Sequence, residues 1–136
     1  MVFVRSVTED GLVDYNAVID LYVLNGWSSR AEYDSTSVKQ WCENSTFAAV
    51  AYDTNQRLVG LVRVLSDGYH DTWIPEIVVH PNAQRQGIGG ALMAEVIRRY
   101  GHTAIYGSAV NGSEMFFNRF GIIARPRVVT VSRTPS

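Results

Sequence analysis

Between Glu76 and Ile97 the chain passes from a hydrophobic strand pattern through a polar loop into a glycine cluster and then a helix. That order restricts the fold more than any other stretch. Glu76-Ile77-Val78-Val79 leads through His80-Pro81-Asn82 to Gly87-Ile88-Gly89-Gly90. Beyond it, Ala91, Leu92, Ala94, Val96 and Ile97 recur at helical spacing up to Gly101. A helix that begins on glycines leaves its first backbone N–H groups exposed at the positive end of the helix dipole, which makes an anion site. A nucleotide P-loop needs a Lys after the glycines, and a dinucleotide fingerprint needs a third Gly two residues further on; neither is present. Taken alone, the glycine run reads equally well as a tight strand-to-helix connection.

The flanking pattern supplies the rest of the fold class. Val2-Phe3-Val4-Arg5-Ser6-Val7 alternates as an exposed edge strand. Asp14 can cap a helix carrying Ala17, Val18, Leu21, Tyr22 and Leu24, with Gly26 to stop it. A shorter helix follows, capped at Ser35, Thr36 or Ser37, with Val38, Trp41 and Cys42 on one face. Phe47-Ala48-Ala49-Val50-Ala51-Tyr52 and Leu58-Val59-Gly60-Leu61-Val62-Arg63-Val64-Leu65 flank the turn residues of Asp53-Thr54-Asn55-Gln56 as an antiparallel hairpin. Thr72 to Val79 adds a third strand, in which Pro75 cannot donate to a ladder and forces a bulge or a free edge. Thr103 to Ser108 reads as a strand, Ser113 to Phe120 as a short helix, and Arg127 to Val131 as a last strand able to pair across a homodimer. The class is α+β: a mixed, mostly antiparallel central sheet flanked by helices, in the order β-α-α-β-β-β-α-β-α-β.

A chain of 136 residues suits one compact domain, residues 1–136. Twelve Lys and Arg against 13 Asp and Glu leave a formal charge of −1, without the basic surplus that phosphate-backbone binding needs, so nucleic acid is not an expected partner. Cys42 is the single cysteine, which excludes an intramolecular disulfide and the usual zinc spacings; no metal is expected. A start of Met1-Val2-Phe3-Val4-Arg5 followed by Glu9 and Asp10 leaves no room for a signal-peptide core, and no apolar run is long enough to span a bilayer. The expected setting is cytoplasmic, away from membranes.

The segment from Glu76 to Met93 resembles the acetyl-CoA site of the GCN5-related N-acetyltransferases (GNAT), with Gln84-x-x-Gly87-x-Gly89 matching that family's pyrophosphate loop. The resemblance extends over nearly the whole chain, through to Asn111-Gly112-Ser113-Glu114-Met115-Phe116-Phe117-Asn118-Arg119-Phe120-Gly121, and points to a small bacterial-type member. It implies acetyl-CoA as cosubstrate. Backbone groups of Ile77, Val78 and Val79 would pair with the pantetheine arm, and amides of Arg85, Gln86, Gly87, Ile88, Gly89 and Gly90, with Gln84, would hold the pyrophosphate. Asn111 and the helix from Ser113, with Phe117, would line the far side, and a splay of two parallel strands would open a slot between Val78 and Ile105.

Attack of an amine on a thioester needs a proton acceptor, an oxyanion donor and a means of protonating the departing thiolate. Under the resemblance the N–H of Val78 or Val79 is the oxyanion donor and Glu76, acting through water, the base. The family often places a tyrosine on its short final helix to protonate the thiolate; the matching residue here is Phe117, which has no donor. Tyr106 and Ser108 are the substitutes to consider. Asp67, Tyr69, His70 and Asp71, or Trp27, Tyr33 and Trp41, are the candidate acceptor-side groups. The expected activity is transfer of acetyl to a primary amine of a small molecule, peptide or protein by direct attack in a ternary complex. Phe117 also suits a non-catalytic acyl-CoA binding module, and a glycine run that is only a connection suits a protein-interaction domain without CoA.

Overall fold

Every strand of the sheet pairs with its neighbour in the chain, in the order β1 (Phe3–Ser6), β2 (Phe47–Tyr52), β3 (Leu58–Ser66), β4 (Asp71–Val79) and β5 (Ala104–Gly107). This computed structural model describes residues 2–10, 13–27, 32–109 and 113–135. The first four strands are antiparallel and β5 joins β4 in parallel, because the helix α4 (Ile88–Tyr100) carries the chain back over the sheet between them. The other helices are α1 (Val7–Asp10), α2 (Tyr15–Leu24), α3 (Ser35–Glu43) and α5 (Glu114–Asn118), and a 3-10 turn (Pro81–Ala83) follows β4.

Alternation along the strands divides the core in two. Phe47, Ala49 and Ala51 of β2 face the layer of Leu92, Met93 and Val96 from α4, while Ala48 and Val50 face Val18, Leu21 and Tyr22 of α2 and Val38 and Cys42 of α3. On β4, Ile77 and Val79 pack on the α4 side and Val78 on the α2 side. The expected Asp14 cap is present, its carboxylate accepting from the N–H groups of Asn16 and Ala17 at 3.0 and 3.4 Å. Gly26, at φ +74°, takes the left-handed conformation just past that helix. The cap of α3 is Asp34, one residue ahead of the serines and threonine expected; its carboxylate accepts from Thr36 N–H at 3.3 Å.

Pro75 behaves as its chemistry requires, and both expected consequences occur together. Arg63 pairs with Glu76 and Leu65 with Trp73, so Ile74 and Pro75 lie opposite Val64 alone, a bulge on β4. The pairing of β4 with β5 stops at Ile74 and Gly107, which leaves β4 from Pro75 onward without a strand on that side among the described residues.

Three expectations are corrected. Ile105 lies in the paired part of β5, opposite Thr72, so the splay opens past Gly107 instead of between Val78 and Ile105. Residues 127–131 form no strand: Val128, Val129 and Val131 are 67%, 77% and 89% exposed, and an alternating β-branched run without a partner gains nothing from an extended ladder. The element on which dimer pairing rested is therefore not formed. Val7, expected to end the edge strand, instead begins the helical turn Val7–Asp10, in which Ser6 Oγ accepts from Glu9 N–H at 3.1 Å.

Candidate active site

The unpaired length of β4 is the centre of the site. His80 N–H donates to Val59 C=O at 2.8 Å, and Val79 stands opposite Gly60, so the alternation of an antiparallel ladder turns the N–H and C=O of Val78 toward β3 and those of Ile77 and Val79 toward the open edge. Of the two expected oxyanion donors, Val79 presents its N–H to the open edge and Val78 does not. Val79 C=O is met there by the side-chain amide of Gln84 at 3.3 Å. Gln84 thus ties the loop to the strand end.

After the 3-10 turn, started by His80 Nδ1 accepting from Asn82 N–H at 3.1 Å, the chain reverses through two left-handed residues, Arg85 at φ +66° and Gly87 at φ +82°. A non-glycine residue at positive φ is costly, so the Arg85 conformation is imposed by the loop. Gly87 is the N-cap of α4 and, lacking a side chain, leaves the first-turn amides of Ile88, Gly89 and Gly90 without a capping acceptor. A methyl group added at Gly87 or at Gly90 would meet no heavy atom within 4 Å. These amides point into a cradle shaped to accept an anion, with the helix dipole behind them. The Arg85 guanidinium makes no ion pair among the described residues. Gln86 reaches back to Asn82 C=O at 3.5 Å. Gly89 is the tight member of the run, its Cβ position 2.9 Å from the Phe116 ring.

On the opposite face, Glu76 lies in a nearly closed polar network. Its side chain is 11% exposed, and Oε1 accepts from Arg63 Nε at 2.9 Å and Nη2 at 2.8 Å. Oε2 accepts from the Tyr22 hydroxyl. Arg63 also reaches Ser45 Oγ at 3.5 Å. Tyr22 is stacked on Trp27, ring centroids 5.5 Å apart and planes at 13°, and is flanked by Tyr33 at 5.5 Å and Trp41 at 6.4 Å. Burial pushes the Tyr22 phenol well above its ordinary range, with the Glu76 carboxylate adding to the effect, so this hydroxyl keeps its proton. Burial first, and then Glu76, push the nearby Cys42 thiol up to about 12. The sequence offered no signal for Tyr22 or Arg63 as partners of Glu76, because contacts made across 54 and 13 residues carry no local pattern.

Phe117 is 7% exposed and belongs to the core under α4, its ring edge 3.7 Å from the Cβ position of Gly107 at the mouth of the splay. Tyr106 points to the other face and is 47% exposed. Asn111 lies outside the described residues. The loop with Asp67, Tyr69, His70 and Asp71 is at the start of β4, five residues and roughly 17 Å of strand from Glu76. There, Asp67 accepts from the N–H groups of Tyr69, His70 and Asp71 at 2.9, 2.7 and 3.1 Å, which fixes a turn. The structure therefore gathers Trp27, Tyr33 and Trp41 around Tyr22, the hydrogen-bond partner of Glu76, and leaves the Asp67 loop apart. A cavity of about 480 Å³ adjoins the site between α2, the β2–β3 turn and residues 80–86.

The architecture is shared with solved acetyltransferase structures. A protein of unknown function and probable acetyltransferase from meticillin-resistant Staphylococcus aureus aligns over 100% of both chains with a TM-score of 0.81 at 20% identity. A GNAT family protein from Streptococcus pneumoniae aligns over 98% of this chain and 100% of that one, with a TM-score of 0.72 at 22% identity. An aminoglycoside acetyltransferase from an uncultured soil metagenomic sample, in complex with trehalose, aligns over 99% and 97%, with a TM-score of 0.72 at 20% identity. Fold and splayed edge together define a GNAT-type domain. Residues 15–121 match the acetyltransferase (GNAT) family, and the chain belongs to it. The uncharacterized N-acetyltransferase ycf52 of Gracilaria tenuistipitata var. liui is 30% identical over 104 residues, covering 70% of this chain and 56% of that protein, so the chain spans little more than half the length of this relative. Membership implies use of acetyl-CoA. The open cradle at Gly87 and Gly90 fits a pyrophosphate, and the unpaired edge of Ile77 and Val79 fits an amide-bearing arm.

Proposed function

We propose that this chain transfers the acetyl group of acetyl-CoA to a primary amine of a small molecule or peptide by direct attack in a ternary complex. The carrying observation is the end of β4–β5 pairing at Ile74 and Gly107 beside an uncapped α4 N-terminus. On this reading the first-turn amides of α4 bind the pyrophosphate and the open-edge groups of Ile77 and Val79 hydrogen-bond the arm. Val79 N–H is the donor for the thioester oxygen as negative charge develops on it. Glu76 accepts, through water, the proton the amine sheds as its C–N bond forms, and the C–S bond breaks to release a thiolate. Phe117 offers no proton, so the thiolate takes its proton from solvent. The aromatic group of Trp27, Tyr33 and Trp41 forms the acceptor side, where ring faces and a carboxylate favour an ammonium-bearing ligand. Phe117 is also the observation that favours the second reading, a module that binds acyl-CoA without turnover.

Isothermal titration with acetyl-CoA and with CoA, beside a Gly87→Trp variant, tests the cofactor assignment. Micromolar binding that is lost in the variant is the expected result, followed by thiol release over an amine panel. No heat and an unchanged melting temperature would overturn both readings.

A further inference from the structure

We infer that Tyr22 is a positioning residue of this site: it acts through Glu76, and together with Arg63 it fixes the direction in which that carboxylate presents its remaining lone pair. The inference rests on the acetyltransferase reading above and adds to it a residue that no part of the sequence pattern marks.

The geometry is specific. A carboxylate on a strand has rotatable χ2 and χ3 bonds, and a base that acts through a single water needs a defined orientation to within fractions of an ångström. Glu76 is held at both oxygens by groups from two different elements, Arg63 from β3 through two nitrogens and Tyr22 from α2 through its hydroxyl. Oε1 already accepts from two Arg63 nitrogens, so the lone pair left for a water is the second one on Oε2, the oxygen that Tyr22 holds. The phenol is itself immobile: Tyr22 is 1% exposed, stacked on Trp27 and bordered by Tyr33 and Trp41. Since burial keeps this phenol protonated, it remains a donor to Glu76 across the whole working pH range. A phenylalanine would fill the same volume, so the hydroxyl is the part that packing does not explain. Buried inside the α2 layer, that hydroxyl does not face the open edge of β4. This makes Tyr22 an orienting group and not one that touches substrate.

The test is a double-mutant cycle in steady-state acetyl transfer, combining Tyr22→Phe with Glu76→Gln, and titration of each variant with acetyl-CoA. Tyr22→Phe is expected to lower kcat about tenfold, with the amine KM and the acetyl-CoA Kd within twofold of wild type, since a misplacement of about 1 Å costs on the order of 10²-fold and Arg63 still holds the carboxylate. In the Glu76→Gln background the same substitution should cost less than twofold more, because its effect passes through the carboxylate. Losses that multiply in the double variant, or a Tyr22→Phe enzyme with wild-type kcat, would overturn the inference while leaving the acetyltransferase reading in place. A wild-type protein that binds acetyl-CoA yet acetylates no amine overturns that reading, and this inference with it. Tyr22→Trp, which changes packing as well as the hydroxyl, is the second variant. If its kcat loss follows its loss of melting temperature and Tyr22→Phe loses neither, the role of Tyr22 is packing alone.

Discussion

At Phe117 the site departs from the arrangement its family resemblance implies, and the departure can be reversed by one atom. The ring is 7% exposed and packs at the mouth of the splay against Gly107. Phe117→Tyr would place a proton donor there, and a positioned donor is worth on the order of 10²–10⁴-fold when the leaving group is poor. A thiolate is a fair leaving group, so the expected gain in kcat is about tenfold, at the low end. Stability should fall by about 1–3 kcal/mol if the new hydroxyl finds no partner before the cosubstrate binds. Stopped assays across a pH series, with melting temperatures alongside, check both; an unchanged or lower kcat would remove Phe117 from the proton path. Residues such as Glu76 and Gly87 could be singled out as candidates from sequence because each stands in a short pattern whose chemistry is local. Tyr22 was read as one more apolar position of a helix, and its hydroxyl gained meaning only when folding set it against Glu76. Val78 and Val79 could not be separated from sequence, since which one faces the open edge depends on the register with β3.

The glycines at the start of α4 act as an element, and two of them should respond in opposite ways. Gly89 fits against Phe116, where an added Cβ would come within 2.9 Å of the ring and 3.7 Å of Val79 Cγ2. Gly89→Ala should therefore destabilise by about 1 kcal/mol or more, the overpacking cost exceeding what alanine gains in helix propensity. At Gly90 nothing lies within 4 Å, so Gly90→Ala should raise stability by about 0.5–1 kcal/mol and yet weaken acetyl-CoA binding, because the methyl group enters the cradle. Thermal melts with and without acetyl-CoA separate the two effects; a Gly90→Ala protein that binds as tightly as wild type would show that the cradle lies elsewhere. Helices and strands with their own caps, turns and periodicity, such as α2, α4 and the β2–β3 hairpin, were legible to within a residue or two. So was the bulge at Pro75, since a missing N–H has only a few structural outcomes. The strand expected over residues 127–131 failed for the opposite reason. Alternation states a preference for extension, whereas a ladder requires a partner, and the described residues supply none.

Across the whole molecule, the shifted carboxylates lie near the surface and the shifted thiol and phenols lie deeper, and that division sets how stability depends on pH. The carboxylates held below their ordinary range are near the surface: Glu9 and Glu95 beside Arg99 and Arg98, Asp53 in the turn with Arg57, and Asp67 in its loop of backbone amides. A depressed carboxylate contributes stability that is present above its unfolded value of about 4 and lost as the pH falls through its folded one. Exposed pairs of this kind are each worth little, so the acid side should fall gently. The thiol and phenols pushed upward by burial lie in or against the α2–α3 layer: Cys42 and the partly buried Tyr15, both raised to about 12, and Tyr22, whereas the surface cations His70, Arg98 and Arg99 are raised by their carboxylate partners. A group with a raised folded value contributes stability that is complete below its unfolded value, about 8.5 for the thiol and about 10 for the phenols, and is lost as pH rises toward the folded one. The melting temperature should therefore hold a plateau from about pH 5 to about pH 8.5 and then fall more steeply on the alkaline side than on the acid side. Cys42 titrates first in the unfolded chain, so Cys42→Ala should delay the start of the alkaline fall by about one pH unit, toward the value set by the phenols. Melting curves of both proteins from pH 3 to about 11 decide the matter. An acid arm steeper than the alkaline one, or an onset that Cys42→Ala leaves in place, would mean that the layer between α2, α3 and the sheet admits charge more readily than its packing implies.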